Sequence, residues 1–127
     1  ARLAPISSQR LENARQLLER NQISEATSIL EELDALDPVN PQITTLLAAC
    51  IYRKHGVRDR MQLARTQALL SRAIALDEHN ADAFHLLGCL EHDLNDPDLA
   101  RRAWLRAIAI DPGHLPTQDA LRALPPP

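Results

Sequence analysis

A solenoid of stacked helix pairs is the fold this sequence predicts, and three observations carry the prediction. An octet recurs three times: LDALDPVN at Leu33–Asn40, AIALDEHN at Ala73–Asn80 and AIAIDPGH at Ala107–His114, spaced 40 and then 34 residues apart. A period of that size in a helix-forming chain marks repeated units that bury a core only by packing on their neighbours. The apolar content is 45%, nearly all of it Leu, Ala and Ile, with one Phe, one Trp and one Tyr. Such a core suits helices, since Ala and Leu are among the best helix formers. Only three Gly occur, and most of the nine Pro fall between the apolar runs, where they delimit helices instead of breaking them.

The elements follow in order. The first seven residues read as an irregular lead-in, with Ser7 or Ser8 capping a helix over 8–20 that aligns Leu11, Ala14, Leu17 and Leu18. Asn21-Gln22 make a turn, and Ser24 caps a helix to Leu36 that Asp37-Pro38 ends. Asn40-Pro41 supplies a capping residue followed by proline at the first helical position. The third helix then runs to Lys54, and Gly56 stops it. Asp59 caps a long fourth helix to Leu76 with Met61, Leu63, Leu69, Leu70, Ala73 and Ile74 on its apolar side. A fifth helix spans Ala81–Asp93 after Asn80, and a sixth opens at Asp96-Pro97 and ends before Pro112. A short seventh, over 116–124, brings Leu121 and Leu124 to the end of the stack, where a solenoid needs a cap over its last apolar face.

At 127 residues the chain reads as one domain. Net charge is -3, which disfavours non-specific nucleic-acid binding, and the charge is distributed unevenly. Residues 7–40 carry three basic and seven acidic groups, residues 41–80 six and three, and residues 81–114 three and six. A basic middle between acidic flanks can orient a charged partner or simply keep the surface soluble. Two Cys make no disulfide framework, and Cys50 and Cys89 are expected as free thiols. No run approaches the ~18 apolar residues of a membrane span, and no secretory signal is present; the expectation is a soluble protein, cytoplasmic or periplasmic. The start at Ala1 and the end in three prolines suggest a piece of something longer. Thirteen of the fourteen basic residues are Arg, a bias towards a GC-rich, bacterial source.

Residues 81–112 carry a family resemblance: Phe84-x2-Leu87-Gly88, then Ala100-x3-Trp104-x2-Ala107-x4-Pro112. In spacing and residue type this resembles the tetratricopeptide repeat, with Phe84 in the place of the usual Trp and Glu91 where an aromatic is usual. Residues 7–40 keep Ala26, Leu30, Leu33 and Pro38; residues 41–80 keep Leu47-Ala48, Ile51, Leu70 and Ala73 but run six residues long. The resemblance implies a right-handed superhelical solenoid of three units (about 7–40, 41–80 and 81–114) and a capping helix over 115–124. The six extra residues are expected between Arg53 and Gln67, lengthening the fourth helix and leaving a small loop near His55–Arg58.

What the resemblance implies for function is a concave groove lined by the first helix of each unit, holding a peptide or helix of a partner protein. Carried over by alignment, the groove residues are Leu11, Arg15 and Leu18, then Thr45, Ala49, Tyr52 and Arg53, then Asp82, His85, Cys89 and His92. Tyr and Arg are frequent energetic anchors of interfaces. A subclass of the family clamps the terminal carboxylate of chaperone peptides with Lys and Asn. Leu11 and Arg15 stand where the first of these would be, which argues against a chaperone-tail adaptor.

His85, Cys89 and His92 also share a helical stripe with Asp82, a set of ligand types that suits zinc. Ligands strung along one helix spread over about 15 Å, so no metal or cofactor is expected, and a metal-binding groove is a minor alternative. The basic cluster of Arg53, Lys54, His55, Arg58, Arg60 and Arg65 lacks interleaved aromatics to stack bases and reads as a solvated loop. His79 and His114, in the turns that close units, read as solvent-exposed. No catalytic constellation is present. The sequence therefore predicts a non-enzymatic interaction scaffold for assembly of a bacterial multiprotein complex, in envelope, secretion or pilus biogenesis. The alternative is a structural or self-associating domain of a longer, even enzymatic, protein.

Overall fold

The computed structural model describes residues 3–126, and from Ser8 onwards it includes side-chain surroundings. It contains seven helices: α1 (Leu3–Glu19), α2 (Ile23–Leu36), α3 (Pro41–His55), α4 (Arg60–Leu76), α5 (Ala81–Asp93), α6 (Pro97–Ile110) and α7 (Leu115–Ala123). They form three consecutive pairs, each first helix also packing on the second helix of the pair before it, and α7 packs on α6. No strand occurs among the described residues.

Small residues set the spacing of the pairs. Ala14, Ala26, Ala48, Ala73, Ala83, Ala100 and Ala107 are all fully buried, so helix backbones approach closely while Leu30, Leu33, Leu47, Leu70 and Leu90 fill the space between. One core runs from α1 to α5, and a smaller cluster of Ala100, Trp104 and Leu124 joins α6 to the segment after α7.

The caps at Asn40, Asp59, Asn80 and Asp96 form as expected, each side chain accepting backbone N–H bonds from the first turn. The turns inside the first and third pairs place Asn21 and Asn95 at φ 62° and 63°, a left-handed conformation Asn tolerates better than most residues. Gly56 takes the corresponding role after α3 at φ 61°. Asp59 satisfies the N–H groups of Met61 and Gln62 at 3.0 and 3.2 Å. Asp59→Ala should therefore cost about 1 kcal/mol, read as a lower urea midpoint with an unchanged slope.

Three expectations need correcting, and a fourth in part. The backbone is helical from Leu3, so Ser8 lies inside α1; Pro5 is accommodated because a first-turn residue needs no N–H partner. The Ser7 side chain lies outside the described residues. α2 starts at Ile23 with Gln22 at the N-cap and no side-chain cap bond. Met61 is 80% exposed because it sits in the first turn of α4, beyond the reach of the core. The six extra residues do lengthen α4 and the turn before it as expected, but α3 takes a share as well: α4 has 17 residues against 14 in α6, the turn four against three, and α3 15 against 13 in α5.

Candidate functional site

The first helices α1, α3 and α5 border an open cavity of about 600 Å³. Its apolar floor is Leu18, Leu46, Ala49 and Leu86. Arg15 and Arg53 stand on the α1 and α3 side, and Asp82, His85 and His114 on the α5 side, joined by Asp77 and Asp111 from the turns after α4 and α6. Arg15 Nη2 donates to Gln42 Oε1 at 3.3 Å, and Arg53 Nη1 donates to the Leu18 carbonyl at 3.3 Å. Both acceptors are neutral, and among the described residues neither guanidinium joins an ion pair. The groove thus has a cationic side and an acidic, histidine-bearing side across an apolar floor.

Of the aligned groove residues, Arg15, Leu18, Thr45, Ala49, Arg53, Asp82 and His85 line this cavity. Leu11 does not: it is buried in the core, because α1 turns that stripe towards α2 and α3. Tyr52 is half-buried; its hydroxyl donates to the Asp93 carboxylate and approaches the Cys89 carbonyl at 3.5 Å, so it ties α3 to the last turn of α5. Burial and Asp93 push its phenol well above the ordinary range. His92 is exposed and packs beside Trp104, ring centroids 5.8 Å apart.

The α5 side holds a connection that spacing alone does not show. Thr117 of α7 is fully buried, with its Oγ1 2.6 Å from His114 Nδ1 and 3.0 Å from His85 Nδ1. His114 Nε2 lies 2.7 Å from Asp82 Oδ1, and His85 Nε2 3.5 Å from Cys89 Sγ. A single assignment of protons satisfies the whole chain. The Cys89 thiol donates to His85, His85 Nδ1–H to Thr117, the Thr117 hydroxyl to His114, and His114 Nε2–H to Asp82. His114 is therefore not a solvent-facing turn residue; its side chain is only 12% exposed.

The repeat explains its place. Where Asn40 and Asn80 cap α3 and α5, His114 holds the same octet position before α7 and makes no cap bond through its own side chain. Asn80 also donates to Thr45 Oγ1 at 2.9 Å, and His85 occupies in α5 the position of Thr45 in α3. Asn80 thus reaches this point on the preceding first helix directly, and His114 reaches it through Thr117.

This arrangement ties α7 to α5. Burial raises both thiols, Cys50 and Cys89, above the ordinary value and lowers His85 below it. Among the described residues no three potential ligands converge on a metal position; His92 lies on the Trp104 side, apart from the His85–Cys89 contact. The basic cluster is dispersed, since Arg53 faces the groove, Lys54 reaches Ser24 Oγ at 3.4 Å and Arg65 pairs with Glu31 at 3.4 Å. No described helix is long and apolar enough to cross a membrane.

No protein-family model and no curated protein sequence matches the chain. Solved structures do. The first tetratricopeptide domain of Spaghetti (RPAP3) bound to the HSP90 peptide SRMEEVD is 19% identical with a TM-score of 0.75, covering 93% of this chain and 89% of its own. The tetratricopeptide domain of Arabidopsis OM64 is 17% identical with a TM-score of 0.77, covering 93% of each chain. The Yersinia enterocolitica type III secretion translocator chaperone SycD is 12% identical with a TM-score of 0.74, covering 95% of this chain and 87% of its own. At these identities the likeness concerns the fold: the chain has the tetratricopeptide-repeat fold, three helix pairs and a capping helix.

Proposed function

We propose that this tetratricopeptide-repeat fold serves as a protein-interaction module whose concave groove holds an extended or helical segment of a partner protein. The observation that carries the reading is the open cavity of about 600 Å³ itself, with an apolar floor and two arginines that lack carboxylate partners among the described residues. Such a groove suits a segment with apolar residues at its centre, an acidic group towards Arg15 and Arg53, and a basic group towards Asp77, Asp82 and Asp111. One neighbour in fold holds an HSP90 peptide. Leu11 is buried here and Arg15 is already bonded to Gln42, which favours a different partner for this chain. The arginine bias of the composition supports a bacterial setting, and assembly of an envelope, secretion or pilus complex is the context we propose.

The test is an affinity pull-down from lysate with the wild type and Arg15→Glu/Arg53→Glu side by side, followed by titration with the protein identified. Hydrogen bonds to charged groups contribute about 1.5–3 kcal/mol each, so the double variant should bind at least tenfold more weakly. Equal retention by both proteins would remove the groove from the interaction. A mass above 14.1 kDa in light scattering of the isolated chain would instead favour the self-associating reading.

A further inference from the structure

We propose that the outer crease between α5 and α6 is a second docking site, one that takes an acidic amphipathic segment. The crease is a recess of about 240 Å³ with Phe84 and Leu87 of α5 facing Leu99 and Ala103 of α6, and with Arg102 and Arg106 of α6 opposite the single carboxylate of Glu91 on its rim. At 100° per residue, Phe84 and Glu91 lie about half a turn around α5 from Asp82 and Cys89, on the side away from the groove.

The repeat supplies an internal comparison. In octet register, Phe84 and Leu87 correspond to Thr44 and Leu47 of α3, and Leu99 and Arg106 to Arg65 and Arg72 of α4. In the second unit this crease is closed: Thr44 is fully buried and Leu47 is 2% exposed. There α2 lies over it, and Glu31 and Asp34 of α2 pair with Arg65 and Arg72 at 3.4 and 2.5 Å. In the third unit the covering helix is α4, and its residues in the positions of Glu31 and Asp34 are Ser71 and Ile74. The carboxylates are gone. Leu99 is left 43% exposed, Phe84 and Leu87 only half-buried, and Arg106 lies over the Phe84 ring at 5.6 Å. Among the described residues neither Arg102 nor Arg106 joins an ion pair.

An apolar recess rimmed by two exposed guanidiniums outside any ion pair, against the one carboxylate of Glu91, keeps a net positive rim and is complementary to one kind of surface. That surface has a bulky apolar side chain flanked by carboxylates about one helical turn apart, which is what α2 presents one unit earlier. The occupant inserts its apolar side chain between Phe84 and Leu99 and sets its carboxylates on Arg102 and Arg106.

The probe is a fluorescein-labelled peptide with the sequence of α2, residues 23–36, titrated against the full chain by anisotropy. Saturable binding is expected, at least tenfold weaker for Arg102→Glu/Arg106→Glu and for Leu99→Asp, weakened by added salt, and unchanged for Arg15→Glu/Arg53→Glu. All three replaced crease residues are exposed, so the variants should keep the wild-type circular dichroism and melting profile. Three results would overturn the proposal. The peptide fails to saturate, or it binds the arginine-reversed crease as well as the wild type, having exchanged with the chain's own α2, or only the groove variant loses it. Because the groove variant is measured in parallel, failure at the crease leaves the groove reading standing.

Discussion

Trp104→Ala is expected to destabilise the chain by about 3–5 kcal/mol, with a fall in Tm of roughly 10–20 °C. Trp104 is 4% exposed and sits at the α5–α6 contact, its Nε1 donating to the His85 carbonyl at 3.0 Å. It is also the one large side chain in the cluster that joins Ala100 to Leu124, so its loss opens a cavity and frees the C-terminal segment together. Gly88 tests the same contact from the other side. A Cβ there would lie 2.8 Å from Trp104 Cε2 and closer still to the rest of the pyrrole edge. On helix propensity alone Gly88→Ala should gain up to about 1 kcal/mol, but overpacking costs about 1–3 kcal/mol and displaces the indole from its hydrogen bond. The net effect in the wild type should be a loss. In the Trp104→Ala background the obstruction is gone and the propensity remains, so Gly88→Ala should turn stabilising. That reversal of sign, read from urea unfolding of the four proteins, is a coupling only residues in contact produce; additive effects would place Gly88 and Trp104 apart.

The same pair shows what a sequence of this kind makes legible. Gly88, Ala100 and Trp104 are readable because repeat spacing fixes which residues of one pair oppose each other, and the N-caps because each depends on residues two or three positions away. Side chains that meet across units are not. Nothing in the spacing relates Thr117 to His85, 32 residues earlier, or turns Tyr52 towards Asp93 instead of the groove. The family alignment sent Leu11 to the groove although its apolar stripe placed it in the core where it lies, and helical periodicity turned the exposed Met61 inward. It gives direction around a helix axis, whereas burial depends on whether a neighbouring helix extends that far. A weak signal for the acidic side of the groove was present in the octet, whose acidic position supplies Asp77 and Asp111 in successive units. Read as turn residues alone, they give no hint that they border a cavity.

Thr117→Val should loosen α7 with little effect on the first two helix pairs. The substitution keeps the shape and removes the hydroxyl that stands between His114 Nδ1 and His85 Nδ1. A buried polar group left unpaired costs about 1–3 kcal/mol; both rings keep some access to water, so a total of about 2 kcal/mol is expected. Thr117→Ser retains the hydroxyl and should stay near the wild type. Hydrogen exchange would show α7 and the end of α5 losing protection first, while α1–α4 keep theirs; equal protection in the Val and Ser variants would mean the hydroxyl contributes nothing. Acid should act on the same place. His85 is held below the ordinary histidine value of 6.5, first by burial and then by the adjacent His114 ring, with Asp82 opposing. The unfolded chain therefore takes up the proton first. The contribution of His85 is complete above about 6.5 and is lost as pH falls below it towards the lower folded value. Unfolding followed from pH 7.5 downwards should thus show stability declining once pH passes about 6.5, and His85→Gln should flatten that part of the profile. Since His85, His114 and Asp82 also line the groove, a partner's basic group bound at Asp82 would compete with His114 for the carboxylate that anchors α7, coupling occupancy of the groove to the cap of the solenoid.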